Sequence, residues 1–364
     1  MGNDDDRLSS TVPRAAARGA AQTAVGSGPP GLDLDALAAR LRTVGVEPRG
    51  ALRADLLAGG RSNLTFAVTD GESRWVVRRP PLAGLTASAH NMAREHRVTR
   101  ALVGTPVPVA RPVDLCEDAS VIGAPFTVVE WVHGVVVRDR HDLAALDDTQ
   151  VSRAVDVLVD VLVALHAMDV DAVGLRSFGR PEGFLARQVD LWRRQWERTR
   201  TGDLPDLDRL HAALADSVPA SSAVAVVHGD YRIDNAILDA ADPGTVRAVV
   251  DWELATLGEP LSDVALMCAY RHPALDVVLG VPAAWASTRL PSADALAATY
   301  AGRSGRPLAD WPFHLGLAHL KLAVIAQGIA HRAAAGADAG RDAARAADAV
   351  PDLVAAGLAA LRQR

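Results

Sequence analysis

Val226-Val227-His228-Gly229-Asp230-Tyr231-Arg232-Ile233-Asp234-Asn235 is the most informative stretch of this chain, and Val249-Val250-Asp251-Trp252-Glu253 completes it. The first reads as a short apolar strand entering a polar loop with the pattern His-Gly-Asp-x-x-x-x-Asn. Asn235 lies five residues after Asp230, and Asp251 follows Asn235 by sixteen. The second stretch is an apolar strand that ends on an acid. Taken singly, these residues have ordinary readings, with Asp230 and Asp234 as turn formers and His228 bonded to backbone. The full spacing, with an apolar strand before each acidic position, favours a functional site over a chance polar loop.

Phosphoryl transfer needs this set of groups. It asks little covalent work of a protein, so catalysis is mainly positioning and charge neutralisation. Magnesium takes hard oxygen ligands, usually one or two from protein and the rest from phosphates and water. Asn235 offers an amide oxygen and Asp251 a carboxylate, which makes them the candidate metal ligands. Asp230 is then left to accept a proton from an acceptor hydroxyl and to orient it. The Asp230-to-Asn235 spacing matches the kinase catalytic loop.

Working outward, the chain divides by pattern. Residues 1–33 form an expected disordered leader, rich in Ala, Arg, Gly, Ser and Pro, a composition too poor in apolar surface to order itself. Residues 34–45 suggest a short helix. Thr65–Val68 and Arg74–Arg78 are β-prone runs around an Asp70-Gly71 turn, which predicts a hairpin. Thr86 to Leu102 predicts a helix with Thr86 as N-cap, and Phe126 to Val132 a further strand. Beyond Gly134 the periodicity is mostly helical, with Val151, Val155, Leu158, Leu162 and Leu165 on one face. A β-rich segment (34–131) followed by a larger helical one (132–364) is an α+β pattern.

A kinase also needs a glycine-bearing turn over the phosphates, a cation on the third strand and an acid to hold it. Gly59-Gly60-Arg61-Ser62-Asn63 lies between β-prone runs. Gly60 lets the backbone approach a phosphate, and the amides of Ser62 and Asn63 can donate to it. Arg78 takes the strand position of the cation, where kinases carry lysine. It keeps the charge but is longer and planar. Glu95 is its candidate partner on the following helix. The alternatives are a plain hairpin turn, a surface strand arginine and a solvated helix acid.

The segment 226–253 resembles the catalytic motifs of the aminoglycoside phosphotransferase family, which has a protein-kinase-like two-lobed fold. The resemblance implies ATP and Mg2+ as cofactors, Asp230 as catalytic base and Asn235 and Asp251 as magnesium ligands. It implies that the backbone carbonyl of Glu130 and amide of Val132 read the adenine edge. Pro260-Leu261-Ser262-Asp263-Val264-Ala265 fits the helix that follows the second motif in this family. Asp263 would there steady the catalytic loop; otherwise it is a helix N-terminal acid favoured by the dipole. Gly59 to Phe66, Val76 to Pro81 and His319 to Ile329 resemble the kinase-like region fused to some acyl-CoA dehydrogenases. That branch often carries arginine at the lysine position and is implicated in phosphorylating hydroxyacyl-CoA. The resemblance covers most of residues 34–335.

Charge and composition narrow the classes. A net charge of −6 argues against a nucleic-acid partner. Two distant cysteines argue against a disulfide scaffold and make a reducing cytoplasm the expected compartment. No unbroken apolar run of membrane-spanning length is present, so no membrane association is expected. Lys321 is the one lysine of the chain. Residues 180–200 hold Arg180, Arg187, Arg193, Arg194, Arg198 and Arg200 with Trp192 and Trp196. They could receive an anionic, partly apolar acceptor such as an acyl-CoA, or be an amphipathic helix with a solvated basic face and core tryptophans. The favoured acceptor is the hydroxyl of a small molecule, with hydroxyacyl-CoA ahead of an aminoglycoside. A pseudokinase scaffold is the alternative from another class. A protein kinase is disfavoured, because no Ala-Pro-Glu signal follows Asp251 and little room remains for an activation loop.

Overall fold

The computed structural model describes residues 28–58, 63–82, 91–220, 223–336 and 343–363. Gly60, Ser62 and the expected N-cap Thr86 lie outside the described residues.

The N-terminal part of the fold is a five-stranded sheet with two helices. Helix α1 (Leu34–Thr43) starts at Asp33, whose carboxylate accepts the Ala36 N–H at 2.9 Å. Strands β1 (Arg53–Ala58), β2 (Leu64–Thr69) and β3 (Arg74–Arg79) follow. The β2–β3 turn is closed by Asp70, whose side chain accepts the Glu72 and Ser73 N–H groups at 2.9 and 2.6 Å. Helix α2 (Met92–Leu102) is capped by Asn91, which accepts the Arg94 N–H. Strands β4 (Pro112–Cys116) and β5 (Phe126–Glu130) complete an antiparallel sheet of order β1-β2-β3-β5-β4.

Side chains alternate across a strand, and that alternation sorts this sheet. Phe66, Val68, Trp75, Val77, Phe126 and Val128 bury one face with Leu37 and Leu41 of α1. Arg78 therefore emerges on the opposite face. Within the expected leader, Leu32 is buried and the Gly31 carbonyl accepts from Arg79, so this end of the chain is tied to β3.

The rest is mainly helical. It comprises α3 (Arg140–Ala144), α4 (Asp148–His166), α5 (Phe184–Thr199) and α6 (Pro205–Ala215), then strands β6 (Ala225–Val227), β7 (Ala236–Leu238), β8 (Val246–Val249) and β9 (Thr256–Gly258). Helices α7 (Pro260–Ala269), α8 (Leu275–Leu279), α9 (Ala293–Ser304), α10 (Trp311–Ala334) and α11 (Val350–Arg362) close the chain. Two antiparallel ribbons, β6–β9 and β7–β8, carry the candidate loops. A reciprocal capping box between Asp147 and Gln150 starts α4, whose buried face includes Val151, Val155, Leu158, Leu162 and Leu165. Helix α10 is long and apolar enough to cross a membrane by length and composition, yet 83% of its apolar window is buried inside the chain. It packs on α5, α6, α7 and α11, which is the setting of a core helix. His314, His319, Lys321 and Gln327 interrupt its apolar run, so no continuous stretch of sequence flags it.

Candidate active site

Strand β6 delivers the catalytic-loop candidate directly from the core. Gly229 follows it with φ +83°, a left-handed backbone that glycine adopts without strain. A Cβ there would meet the Leu254 carbonyl oxygen at 2.9 Å, so the close approach of the two loops also requires glycine. The buried carboxylate of Asp263, in the first turn of α7, accepts the His228 and Gly229 N–H groups at 2.6 and 2.7 Å. It also pairs with His166 Nε2 at 3.3 Å. Asp263 thus anchors the loop and sits at a helix N-terminus at once.

His228 links the two acidic loops. Its Nε2 donates to Val250 O at 3.0 Å, which leaves Nδ1 to accept the Asp230 N–H at 3.2 Å. Val250 N–H donates to Asn235 O at 2.9 Å. A 3-10 turn over Ile233–Asn235 returns Asn235 toward Asp230, where its Nδ2 donates to the Asp230 carbonyl and carboxylate at 2.7 and 2.9 Å. The amide oxygen of Asn235 is thereby left for another ligand. Asp251 has φ 66° and ψ 56°, a strained conformation for a residue with a side chain, worth about 1–3 kcal/mol. Such strain persists only where the surroundings impose it, and here it directs the carboxylate toward the sheet.

The Asp230 carboxylate also accepts from the Tyr270 hydroxyl and from Arg232 Nε at 3.2 Å. Burial pushes its pKa up, but Arg232 and Tyr270 more than offset this and hold it below the ordinary value. Arg232 is shared with Asp234 at 2.6 Å. Burial dominates at Asp234, whose pKa is pushed up to about 6 despite Arg232, with Asp230 adding to the rise.

Across the cleft, Arg78 reaches both sides. Its Nη1 donates to Glu95 Oε1, and its Nη2 to Asp251 Oδ1 at 3.0 Å. Burial alone would lower the Arg78 pKa, yet Glu95 and Asp251 raise it. Glu95 itself is raised, chiefly by burial, with Arg78 pulling the other way. Asn63 Nδ2 donates to Glu253 Oε2 at 3.2 Å, from the sheet to the loop after Asp251. Asn63 Oδ1, Arg78 Nε and Glu95 Oε2 are buried with no partner among the described residues. Such orphaned atoms are costly unless something else meets them. Glu130 ends β5, and its N–H donates to Arg111 O at 2.9 Å. Val132 follows, and its N–H has no acceptor among the described residues.

The structure therefore brings together Asp230 with Asn235, and Asp251 with Arg78 and Glu95. Arg232, Tyr270 and Lys321 are further site residues that the sequence pattern did not single out for a role. Arg232 lies inside the motif but in a variable position of it. Tyr270 is forty residues from Asp230, and no local signal joins them. Lys321 is the one lysine and lies in the His319 to Ile329 stretch of the resemblance, with no role assigned there; its Nζ donates to Gly229 O at 2.7 Å. The basic segment 180–200 behaves as an amphipathic helix. Trp192 and Trp196 are buried, Arg193 pairs with Glu197 and Asp208, and Arg200 with Glu197 and Asp203. Among the described residues no cluster of three or more His, Cys, Asp or Glu side chains could hold a metal by protein alone.

A model of the phosphotransferase enzyme family matches residues 54–317. Acyl-CoA dehydrogenase family member 10 of Mus musculus is 34% identical over 281 residues, which is 76% of this chain and 26% of that protein. Acyl-CoA dehydrogenase family member 11 of Homo sapiens is 31% identical over 318 residues, 86% of this chain and 40% of that protein. The chain thus spans about a quarter to two fifths of the length of these relatives. A solved candidate aminoglycoside phosphotransferase from Ralstonia eutropha matches with TM-score 0.77 and 32% identity, covering 91% of this chain and 98% of that one. The ternary complex of aminoglycoside phosphotransferase APH(4)-Ia with AMP-PNP and hygromycin B matches with TM-score 0.57 at 17% identity, over 84% of this chain and 93% of that one, a likeness of fold. With its two-lobed α+β architecture and its two linked acidic loops, this chain belongs to the phosphotransferase enzyme family and is a small-molecule kinase.

Proposed function

We propose that the chain transfers the γ-phosphoryl group of ATP to the hydroxyl of a small molecule, a hydroxyacyl-CoA being favoured. ATP would lie between residues 34–131 and 132–364, with its phosphates near Gly60, Ser62, Asn63 and Arg78. Its adenine would meet the backbone of Glu130 and Val132. Asp230 accepts the proton of the acceptor hydroxyl and orients that hydroxyl for in-line attack. The observation that carries this reading is the bonding of His228 and Asn235 to Val250, which sets Asp230 and Asp251 on one ledge opposite Arg78.

The donor set suits Mg2+, since Asn235 and Asp251 present hard oxygens and the other ligands can come from phosphate and water. When bound, the ion would neutralise charge on the phosphates. Arg78 is the residue whose position must change or be shared as it binds, because it holds one Asp251 oxygen at 3.0 Å. The acyl-CoA preference draws support from the relatives, which are named acyl-CoA dehydrogenases. Hygromycin B, bound by the APH(4)-Ia neighbour, stands for the other acceptor class. ADP release with Mg-ATP and pools of hydroxyacyl-CoAs or aminoglycosides separates the two. Stimulation by the first pool alone is expected; stimulation by the second alone would reject the acceptor and keep the chemistry.

Two further outcomes are expected. Arg78→Ala should weaken Mg-ATP at least about tenfold, or ~1.4 kcal/mol, because Glu95 loses its partner and the phosphates their cation. Arg78→Lys should recover part of this, losing the forked geometry. Calorimetric titration decides the matter, and an unchanged affinity in Arg78→Ala would remove Arg78 from the nucleotide site.

The second outcome concerns pH. Above about pH 6, Asp234 is ionised and shares the Arg232 charge with Asp230. Below it Asp234 is neutral, and Arg232 leans on Asp230 alone, making the base weaker. The acid limb of kcat should fall through an apparent pKa of about 6. Asp234→Asn, permanently neutral, should lack that limb. The same limb in parent and variant would refute the assignment.

A further inference from the structure

Behind the Gly229 turn, between α5, α7 and α10, lies a cavity of about 90 Å³. Phe184, Trp192, Leu254, Leu266 and Leu317 give it apolar walls. Three polar side chains line it with bonding capacity unspent. Lys321 Nζ donates to Gly229 O at 2.7 Å and lies 5.6 Å from the centroid of the Trp192 ring. An ammonium has three donors, and among the described residues that carbonyl is its hydrogen-bond acceptor and no carboxylate forms an ion pair with it. His314 Nδ1 and Ser262 Oγ are buried without partners among the described residues, and the His314 side chain is almost wholly enclosed. Gly229, in the wall of this cavity, immediately precedes Asp230 in the chain.

A cation held against an aromatic face, in an apolar hollow with unmet donors, is built to receive an oxygen-bearing group. Burial lowers the Lys321 pKa, while Asp230 and Asp263 act to raise it. An incoming carbonyl or carboxylate oxygen would supply Lys321 with a further acceptor beside the Gly229 carbonyl. A polycation would meet the ammonium unfavourably, because like charges in a low-dielectric site repel strongly.

We propose that this cavity is the acceptor subsite, and that Lys321 receives a carbonyl or carboxylate oxygen of the acceptor next to the hydroxyl presented to Asp230. A short aliphatic segment of the acceptor would lie against Trp192 and Leu317. This rests on the phosphotransferase reading and goes beyond it by tying the acceptor's acyl carbonyl to one side chain.

Calorimetric titration in the presence of Mg-AMP-PNP tests it without needing turnover. The probes are a hydroxyacyl-CoA, the matching free hydroxy acid and a thioether analogue in which the thioester carbonyl is reduced to methylene. Parent enzyme should bind at least one carbonyl-bearing probe tenfold or more tighter than the thioether. Which of the two carbonyl probes binds tells a thioester source from a free acid. Lys321→Met should erase the preference and leave thioether affinity within about twofold. A merely structural loss at Lys321 would weaken all probes alike and leave the preference, which overturns the proposal. Ala318→Val narrows the same cavity with Lys321 intact and should weaken the carbonyl probes, a check that stands if Lys321→Met fails to fold. Failure of the parent to bind either carbonyl probe, or equal binding of the thioether, also overturns it. Binding of Mg-AMP-PNP alone, read in the same titration, reports separately on the phosphotransferase reading.

Discussion

Asp230→Asn is expected to bind Mg-ATP as the parent does and to release ADP with acceptor about a thousandfold more slowly. The substitution keeps size and shape, and an asparagine oxygen can still accept from Tyr270 and Arg232. It removes the ability to take a proton. The loss should therefore fall on kcat, with little change in nucleotide affinity. The environment of Asp230 sharpens the expectation. Arg232 and Tyr270 hold the carboxylate ionised, so the base is ready at neutral pH but weak. A weak base that still matters must act by orienting the hydroxyl as well as by accepting its proton. An aspartate so placed differs from a solvent-exposed turn former, which could be changed at no cost. Steady-state ADP release measured beside nucleotide titration gives the answer. A variant that turned over within tenfold of the parent would remove Asp230 from the chemistry, and one that lost nucleotide binding would mean that it serves the cleft rather than the base.

What the sequence disclosed of this site depends on how far apart the cooperating residues lie. His228, Asp230, Asn235 and Asp251 were legible because the loop that joins them is short and each acid follows an apolar strand. Arg78 was placed by strand order alone, and period-two alternation then put it opposite Val77, on the face that Glu95 and Asp251 share. Tyr270 and Lys321 were not legible as members of the site. Each sits on a helix whose pattern reports core packing, and it is the packing of α7 and α10 around the loop that turns them toward it. The arginines of 180–200 left two readings open in the sequence, because a one-dimensional count of positive charge cannot see Asp208 on the next helix taking Arg193. The start of α2 also differs from the pattern, with Asn91 as cap at the head of the described helix Met92–Leu102. Gly60 and Ser62 lie outside the described residues, so the phosphate turn rests on sequence.

The same loop geometry explains why two backbone oddities coincide. Gly229 with φ +83° and Asp251 with φ 66° directly follow the two residues that the His228–Val250 bond joins. Neither conformation is favoured by its own strand. Both are imposed by the need to bring two loop backbones close, and the Leu254 carbonyl sets the limit of that approach. The ledge is thus held in place by groups outside the chemistry, and Asp263 is the foremost of them.

Asp263→Ala should cost about 3–5 kcal/mol of stability and also abolish turnover. Asp263 is 1% exposed, and its carboxylate accepts from two backbone N–H groups and pairs with His166. Removing it leaves those donors buried and unmet, which costs about 1–3 kcal/mol for each. The His166 ring, held on its other side by the Tyr300 hydroxyl at 2.8 Å, loses its acidic partner too. Asp263→Asn separates the two roles that the sequence allows. If the residue only complements the α7 dipole, the amide should cost less than about 1 kcal/mol and spare kcat. If it anchors the loop, the amide NH2 must face one of the backbone N–H groups, and both stability and kcat fall. The pH dependence follows in sign. Burial acts to raise the Asp263 pKa, but His166, His228 and the Gly229 N–H hold it below the ordinary value. Its contribution is therefore present above about pH 4, the unfolded value, and is lost as pH falls through the lower folded one. Denaturant unfolding at neutral pH, with hydrogen exchange of peptides covering residues 225–235, tests both. Unchanged protection of the His228 and Gly229 amides in Asp263→Asn would show that the loop stands without this anchor.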